Sequence, residues 1–185
     1  MPQPLMATIA PPAPRAAFAG RGTVHSIESA RRRLLRRPAS RDVIRVLIVA
    51  GHAITRAGLR LLLEDDAGLA VVGEAASGDE GARLVRSTGP DVVLLEAGCV
   101  GPDPAASTRL LAHRVPVLLL TDFEADDRVL AALRAGATGV LPKDSHPAEL
   151  TSAVRTLASG GALLPPRTGR RLIRELVNTT PNVPG

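Results

Sequence analysis

The chain has no tryptophan, no tyrosine and only two phenylalanines in 185 residues, so a core must be built from aliphatic side chains. Leu, Val, Ile and Ala are plentiful enough for that, because apolar residues make up 45% of the chain. A stretch of about 120 residues can bury well over half of its unfolded surface. Cysteine is nearly absent. The single Cys99 excludes an intramolecular disulfide and suits a reducing cytosol. No run of about 18 apolar residues occurs, so nothing reads as a membrane span. The N-terminus also lacks the order of a signal peptide, since its basic cluster follows the mildly apolar part. A cytoplasmic protein is expected. No G-x-G-x-x-G run occurs, and His25, His52, His113 and His146 have no metal-ligand spacing, which leaves them surface or capping roles.

Lysine is scarce as well: 22 of the 23 basic side chains are Arg, and the one Lys is Lys143. Residues 1–41 hold eight Arg, six Pro and a single acid, Glu28, for a balance of +7. Residues 42–185 hold fifteen basic and seventeen acidic side chains, a balance of −2. The pI near 11.0 therefore belongs to the N-terminal segment. Low apolar bulk, charge and Pro predict disorder for residues 1–42, with a short basic helix from Ser26 to Leu35 as a local alternative. The Arg31–Arg37 cluster is either an electrostatic contact for nucleic acid or acidic lipid, or a solvated tail.

From residue 43 the pattern changes. Val46–Val49, Leu69–Val72, Val92–Leu95, Val115–Leu120 and Val140–Leu141 are short aliphatic runs of strand type. Helical segments fall between them. Leu59, Leu62 and Leu63 share one helical face, Gly81–Val85 lies in a helix ended near Gly89-Pro90, and 107–112, 126–135 and 149–157 are helical in composition. Runs buried on both faces and alternating with helices indicate a parallel sheet covered on each side. The fold class is α/β, a doubly wound, flavodoxin-like sheet of five strands spanning residues 43–160. Function in such a sheet sits at the carboxyl ends of the strands.

The residues at and around those ends carry a resemblance. Ile44-Arg45-Val46-Leu47-Ile48, His52 and Arg56-x-Gly58-Leu59-Arg60 come first. Val71-Val72-Gly73-Glu74-Ala75, Pro90-Asp91-Val92-Val93-Leu94, Leu120-Thr121, Ala132-Leu133-Arg134-Ala135-Gly136-Ala137-x-Gly139 and Lys143-Asp144 follow in order. Together they resemble the receiver domain of NarL/LuxR-type response regulators over about two thirds of the chain. The resemblance implies five working positions. Two acids and one aspartate hold magnesium, the aspartate takes a phosphoryl group, and a Thr or Ser and a Lys contact its oxygens. Such transfer needs a hard cation and a fixed ammonium to neutralise developing charge.

Carried over by residue, the acid pair falls on Ala50 and Gly51, which have no side-chain ligand atom. The phosphoacceptor position falls on Glu96, and the phosphoryl contacts on Thr121 and Lys143. The switch-aromatic position is Val140, and Val100-Gly101 with Pro102 stands where Pro-Gly is often found. A lost magnesium site, no metal and no cofactor are expected, with Glu96 paired to a buried Lys143. Cys99 lies nearby without a basic sequence neighbour. An amphipathic helix is expected over 168–178, with Leu172, Ile173 and Leu176 on one face. In the family such a helix links the receiver to a DNA-binding helix-turn-helix domain, so residues 161–185 read as linker helix and tail, with the output domain missing.

The function expected is a non-enzymatic, phosphorylation-independent receiver acting through a protein partner or a homodimer. One rival is a NarL/LuxR-type transcription regulator, either a fragment or a chain contacting DNA through Arg31–Arg37. A second is a small-ligand sensor using space left by Ala50 and Gly51.

Overall fold

A computed structural model of the chain describes residues 43–98, 104–122 and 127–179, with side chains described through residue 174. The basic segment 1–42, Cys99 and Val100-Gly101-Pro102 lie outside the described residues, and with them the expectations placed there. The five aliphatic runs form one parallel sheet. Its strands are β1 (Ile44–Val49), β2 (Leu69–Ala75), β3 (Val92–Glu96), β4 (Val117–Thr121) and β5 (Gly139–Pro142), in the order β2-β1-β3-β4-β5. The helices are α1 (Ala53–Glu64), α2 (Gly78–Thr88), α3 (Pro104–Ala112), α4 (Asp127–Arg134), α5 (Pro147–Ala158) and α6 (Pro166–Thr179).

Alternation along the strands sorts the core into two layers. Leu47, Val49, Val93, Leu95, Val117 and Leu119 face α2, α3 and α4, where Val85, Leu111 and Val129 meet them. Val46, Ile48, Leu94, Leu118 and Leu120 face α1 and α5, where Leu63, Val154 and Leu157 meet them. This two-sided burial is what the continuous runs predict for β1, β3 and β4. It does not extend to β2, whose interior positions are only half-buried. β2 is an edge strand, and one flank of its backbone has no neighbour in the sheet.

Local signals set the helix boundaries. Ser77 caps α2 by accepting from the Glu80 amide (3.2 Å), and Glu80 in turn accepts from the Ala76 amide (2.8 Å). Gly89 closes that helix at φ 56, a conformation that penalises any residue with a Cβ. His146 caps α5, its Nδ1 accepting from the Ala148 amide at 3.3 Å, with Pro147 at the first helical position. His52 precedes α1 at its N-cap position. On α1, Leu63 is buried, but Leu62 is 40%, Leu61 72% and Ile54 85% exposed, so the apolar face is narrower than the leucine spacing suggests.

After α5 the chain turns back along the outer edge of β5. The Val140 amide donates to the Leu163 carbonyl (2.8 Å), and the Leu163 amide donates to the Thr138 carbonyl (3.3 Å). Leu164 packs on the α2–α4 side of the core, Thr168 is fully buried, and Arg171 pairs with Asp127 at the start of α4. Leu163, Leu164 and Thr168, in the segment expected to be linker and tail, thus contact the sheet and its core. The β5 edge, an available pairing template in an open sheet, is covered.

At the far end of α1, Asp66 accepts two hydrogen bonds from Arg155 of α5, at 2.6 and 2.8 Å. The Arg155 guanidinium, with help from the Gly68 amide, holds the Asp66 carboxyl below the usual aspartate range. A carboxyl with a depressed folded pKa stabilises above its unfolded pKa, and that contribution is lost as pH falls through the folded value. Asp66→Asn is therefore expected to lower stability at neutral pH and to flatten the acid limb of the stability profile, measured by urea unfolding between neutral pH and the onset of acid denaturation. An unchanged acid limb would show that the pair contributes nothing.

Candidate functional site

The carboxyl ends of the strands form one rim, and register decides which residues share it. β1 pairs with β3 so that Val49 lies opposite Leu95, which sets Ala50 beside Glu96. β3 pairs with β4 so that Glu96 lies opposite Leu120, and Thr121 of β4 lies opposite Pro142 of β5. The Lys143 amide donates to the Thr121 carbonyl at 2.9 Å, fixing the lysine's Cα beside β4.

Glu96 is the charged side chain at the centre of this rim. It is 4% exposed, and its Oε1 lies 2.9 Å from Lys143 Nζ. The same ammonium lies 3.0 Å from Asp122 Oδ2. Lys143, expected to be buried, is 27% exposed, a half-buried cation bridging one enclosed and one solvated carboxylate. Partial burial alone would lower the Lys143 pKa, but the hydrogen bonds and charges of Glu96 and Asp122 outweigh it, and the ammonium titrates above its ordinary value. Glu96 Oε2 is enclosed and has no hydrogen-bond partner among the described residues.

The other expected positions divide. Thr121 is buried and joined to Lys143 through the backbone. Ala50 is fully buried in the α1–α5 layer, its amide donating to the Ala75 carbonyl at 3.0 Å. Val140 is fully buried too, with its amide held by Leu163.

Two residues were not singled out from the sequence. Asp122 is the second partner of Lys143, and its only sequence signal is its place directly after β4. Arg56, one turn into α1, donates to the carbonyls of Ala50 (2.8 Å) and Gly51 (3.1 Å) and lies 3.4 Å from Glu74. The end of β1 thus presents backbone acceptors, and a guanidinium occupies them. Among the described residues, no three His, Cys, Asp or Glu side chains lie close enough together to hold a metal ion, and no helix is long and apolar enough to cross a membrane.

Beside Glu96 there is a cavity of about 350 Å³, between α1 and α5. Ala50 and Gly51 do not line this cavity.

Residues 46–155 match the response regulator receiver domain family. The transcriptional regulatory protein LiaR of Bacillus subtilis is 32% identical over 143 residues, which are 76% of this chain and 68% of LiaR. The response regulator UvrY of Escherichia coli is 36% identical over 121 residues, 64% of this chain and 56% of UvrY. The chain thus spans between about half and two thirds of the length of these relatives. Among solved structures, a LuxR-family two-component response regulator from Aurantimonas is similar at 34% identity with a TM-score of 0.64, covering 73% of this chain and 99% of that one.

Removing one partner of an enclosed ion pair leaves the other charge desolvated, at a cost of about 3–5 kcal/mol when both are fully buried. Lys143 keeps part of its hydration, so Lys143→Met is expected to cost about 1–3 kcal/mol. The double variant Glu96→Leu with Lys143→Met should recover most of that loss in urea unfolding. The pair's contribution is complete below the unfolded lysine's pKa, about 10.4, and fades as pH rises through the higher folded value. Lys143→Met should therefore abolish this alkaline fade, and a double variant as unstable as the single one would show that the charge pair is not the cause.

Proposed function

The chain belongs to the response regulator receiver family, and on that premise we propose that it is a signalling module that does not depend on phosphorylation at the strand-end rim. The observation that carries this reading is the Glu96–Lys143 ion pair, 2.9 Å long, at the position where the family resemblance puts the phosphoacceptor and its lysine. A carboxylate already bound to the ammonium places negative charge beside Lys143 without any phosphoryl group. The added methylene of Glu relative to Asp also shifts the carboxylate by about one bond length, and a misplacement of about 1 Å can cost a hundredfold in rate.

The donor set does not fit a magnesium ion. Ala50 and Gly51 offer no side-chain oxygen, Glu96 Oε1 is taken by Lys143, Glu96 Oε2 is enclosed, and Arg56 donates to the Ala50 and Gly51 carbonyls. A divalent cation prefers several oxygen ligands, and a guanidinium in their midst opposes it electrostatically. On this reading the rim has one charge state, and the module acts by binding a protein partner or a second copy of itself rather than by catalysis.

LiaR is named a transcriptional regulatory protein, and this supports a second reading in which the chain acts on transcription. DNA contact would then fall to Arg31–Arg37 or to a DNA-binding domain. A tail contact predicts DNA affinity that falls steeply with salt and disappears on deletion of residues 1–41. Salt-independent binding, or binding unchanged by the deletion, excludes the tail.

The primary reading is tested with acetyl phosphate and magnesium, followed by intact mass measurement. No phosphoryl adduct is expected on the wild-type chain. The triple variant Ala50→Asp, Gly51→Asp, Glu96→Asp is expected to gain magnesium-dependent labelling at position 96. Stoichiometric labelling of wild-type Glu96 would overturn the proposal.

A further inference from the structure

α1 carries apolar side chains that the fold leaves uncovered. Ile54, Leu61 and Leu62 are exposed, with Ala57 and Gly58 exposed between them, so an apolar stripe runs along the helix. A Cβ added at Gly58 would meet nothing within 4 Å, which leaves room for another helix to approach closely there. Arg56 and Arg60 pair with Glu74 and lie off the stripe. At the last turn of α1 and just beyond it, Glu64 and Asp65 are exposed. A contiguous apolar surface rimmed by polar residues is the signature of an interaction site.

The chain itself supplies a matching segment. In residues 26–37, Ile27, Ala30, Leu34 and Leu35 recur at i, i+3, i+7 and i+8, which is the spacing of Ile54, Ala57, Leu61 and Leu62 on α1. Arg31-Arg32-Arg33 and Arg36-Arg37 occupy the positions between and after them. The segment also ends in the right place. The Ile44 amide donates to the Gly68 carbonyl at 2.9 Å, so the chain enters β1 beside the loop that follows α1. Residues 38–43 span at most about 20 Å, enough to bring Arg37 beside Glu64 and Asp65. From there a twelve-residue helix, about 18 Å long, reaches back to Ile54, because α1 also has 12 residues. Charge favours this side of the sheet. On the other side, α2, α3 and α4 carry exposed Arg83, Arg86, Arg109, Arg128 and Arg134 against Asp79, Glu80 and Asp127, a surplus that repels a basic segment.

We propose that residues 26–37 form a helix that lies along α1 of the same chain, parallel to it, and covers the exposed stripe. Ile27, Ala30 and Leu34 then fall level with Ile54, Ala57 and Leu61, and Arg37 with Glu64. A partner that docks on α1 must displace this segment. The cover does not depend on how the rim signals: a phosphorylatable Glu96 would sink the reading above and leave the cover intact.

Paired cysteines in the full-length chain test it, every variant also carrying Cys99→Ser so that no third thiol competes. Ala30→Cys is combined either with Ala57→Cys on the stripe or with Arg83→Cys on α2, which the same tether can reach. The fraction of intramolecular disulfide in a glutathione redox buffer, read by intact mass, gives the effective concentration of each pair. The stripe pair should exceed the α2 pair by about tenfold or more. Leu61→Asp, at an exposed position, and Leu34→Asp should each bring the stripe value down to the α2 value, and Arg36→Glu with Arg37→Glu should lower it. A stripe value no higher than the α2 value, a value that both Asp variants leave unchanged, or disulfide found only between two chains overturns the assignment.

Discussion

Burial of β1, β3 and β4 on both faces is the constraint on which the rest of the structure depends. A strand enclosed in this way needs apolar side chains at every interior position, and it leaves polar groups room only at its ends. Val46–Val49, Val92–Leu95 and Val117–Leu120 satisfy this with aliphatic residues alone, which is why a chain almost without aromatics still has a core layer on each face of the sheet. All three strands point the same way, so their carboxyl ends share a rim. Glu96 is the first charged residue on β3 after four enclosed aliphatic ones. It remains enclosed at 4% exposure because α1, β4 and the loop after β5 surround it.

An enclosed carboxylate without a partner is costly, and Lys143 supplies one here, 2.9 Å away. The ammonium reaches Glu96 from a site that is itself partly hydrated, so only one of the two charges bears the full desolvation penalty. Asp122, more exposed still, adds a second anion from the solvent side and helps to hold the lysine charged. This arrangement differs from a fully buried pair, for which desolvation of both ions often cancels the attraction. The one-sided exposure lowers the desolvation cost of the pair, and the contact holds the Glu96 side chain in place.

The sheet was legible in the sequence because strand burial and side-chain period are encoded residue by residue. The positions of Glu96, Thr121 and Lys143 at one rim follow from that sheet once the strands are parallel. What was not legible depends on neighbours the sequence does not name. Val71 and Val72 look like core residues, yet β2 ends the sheet, and edge position is a property of strand order. Leu163 pairs with β5 through backbone groups, which have no side-chain signature. Arg56 appeared only as part of a family pattern, because its role comes from one helical turn that brings it back over the Ala50 and Gly51 carbonyls. The α1–α5 cavity is a shape left between two helices, and the leucines that line it are indistinguishable in sequence from those that fill the core.

The shortness of β5 gives these unanticipated contacts a common consequence. At one end of the strand the Lys143 amide is tied to Thr121, and its side chain to Glu96 and Asp122. Three residues earlier, Val140 is fully buried with its amide tied to Leu163. Valine has no ring to swing between a buried and an exposed position, and its β-branch leaves few rotamers open. A displacement of Lys143 cannot therefore be absorbed by a side-chain flip at Val140. Leu163 leads directly into Leu164, Thr168 and the Arg171–Asp127 pair. The rim and the start of α6 are thus linked by a strand of four residues with hydrogen bonds on both edges.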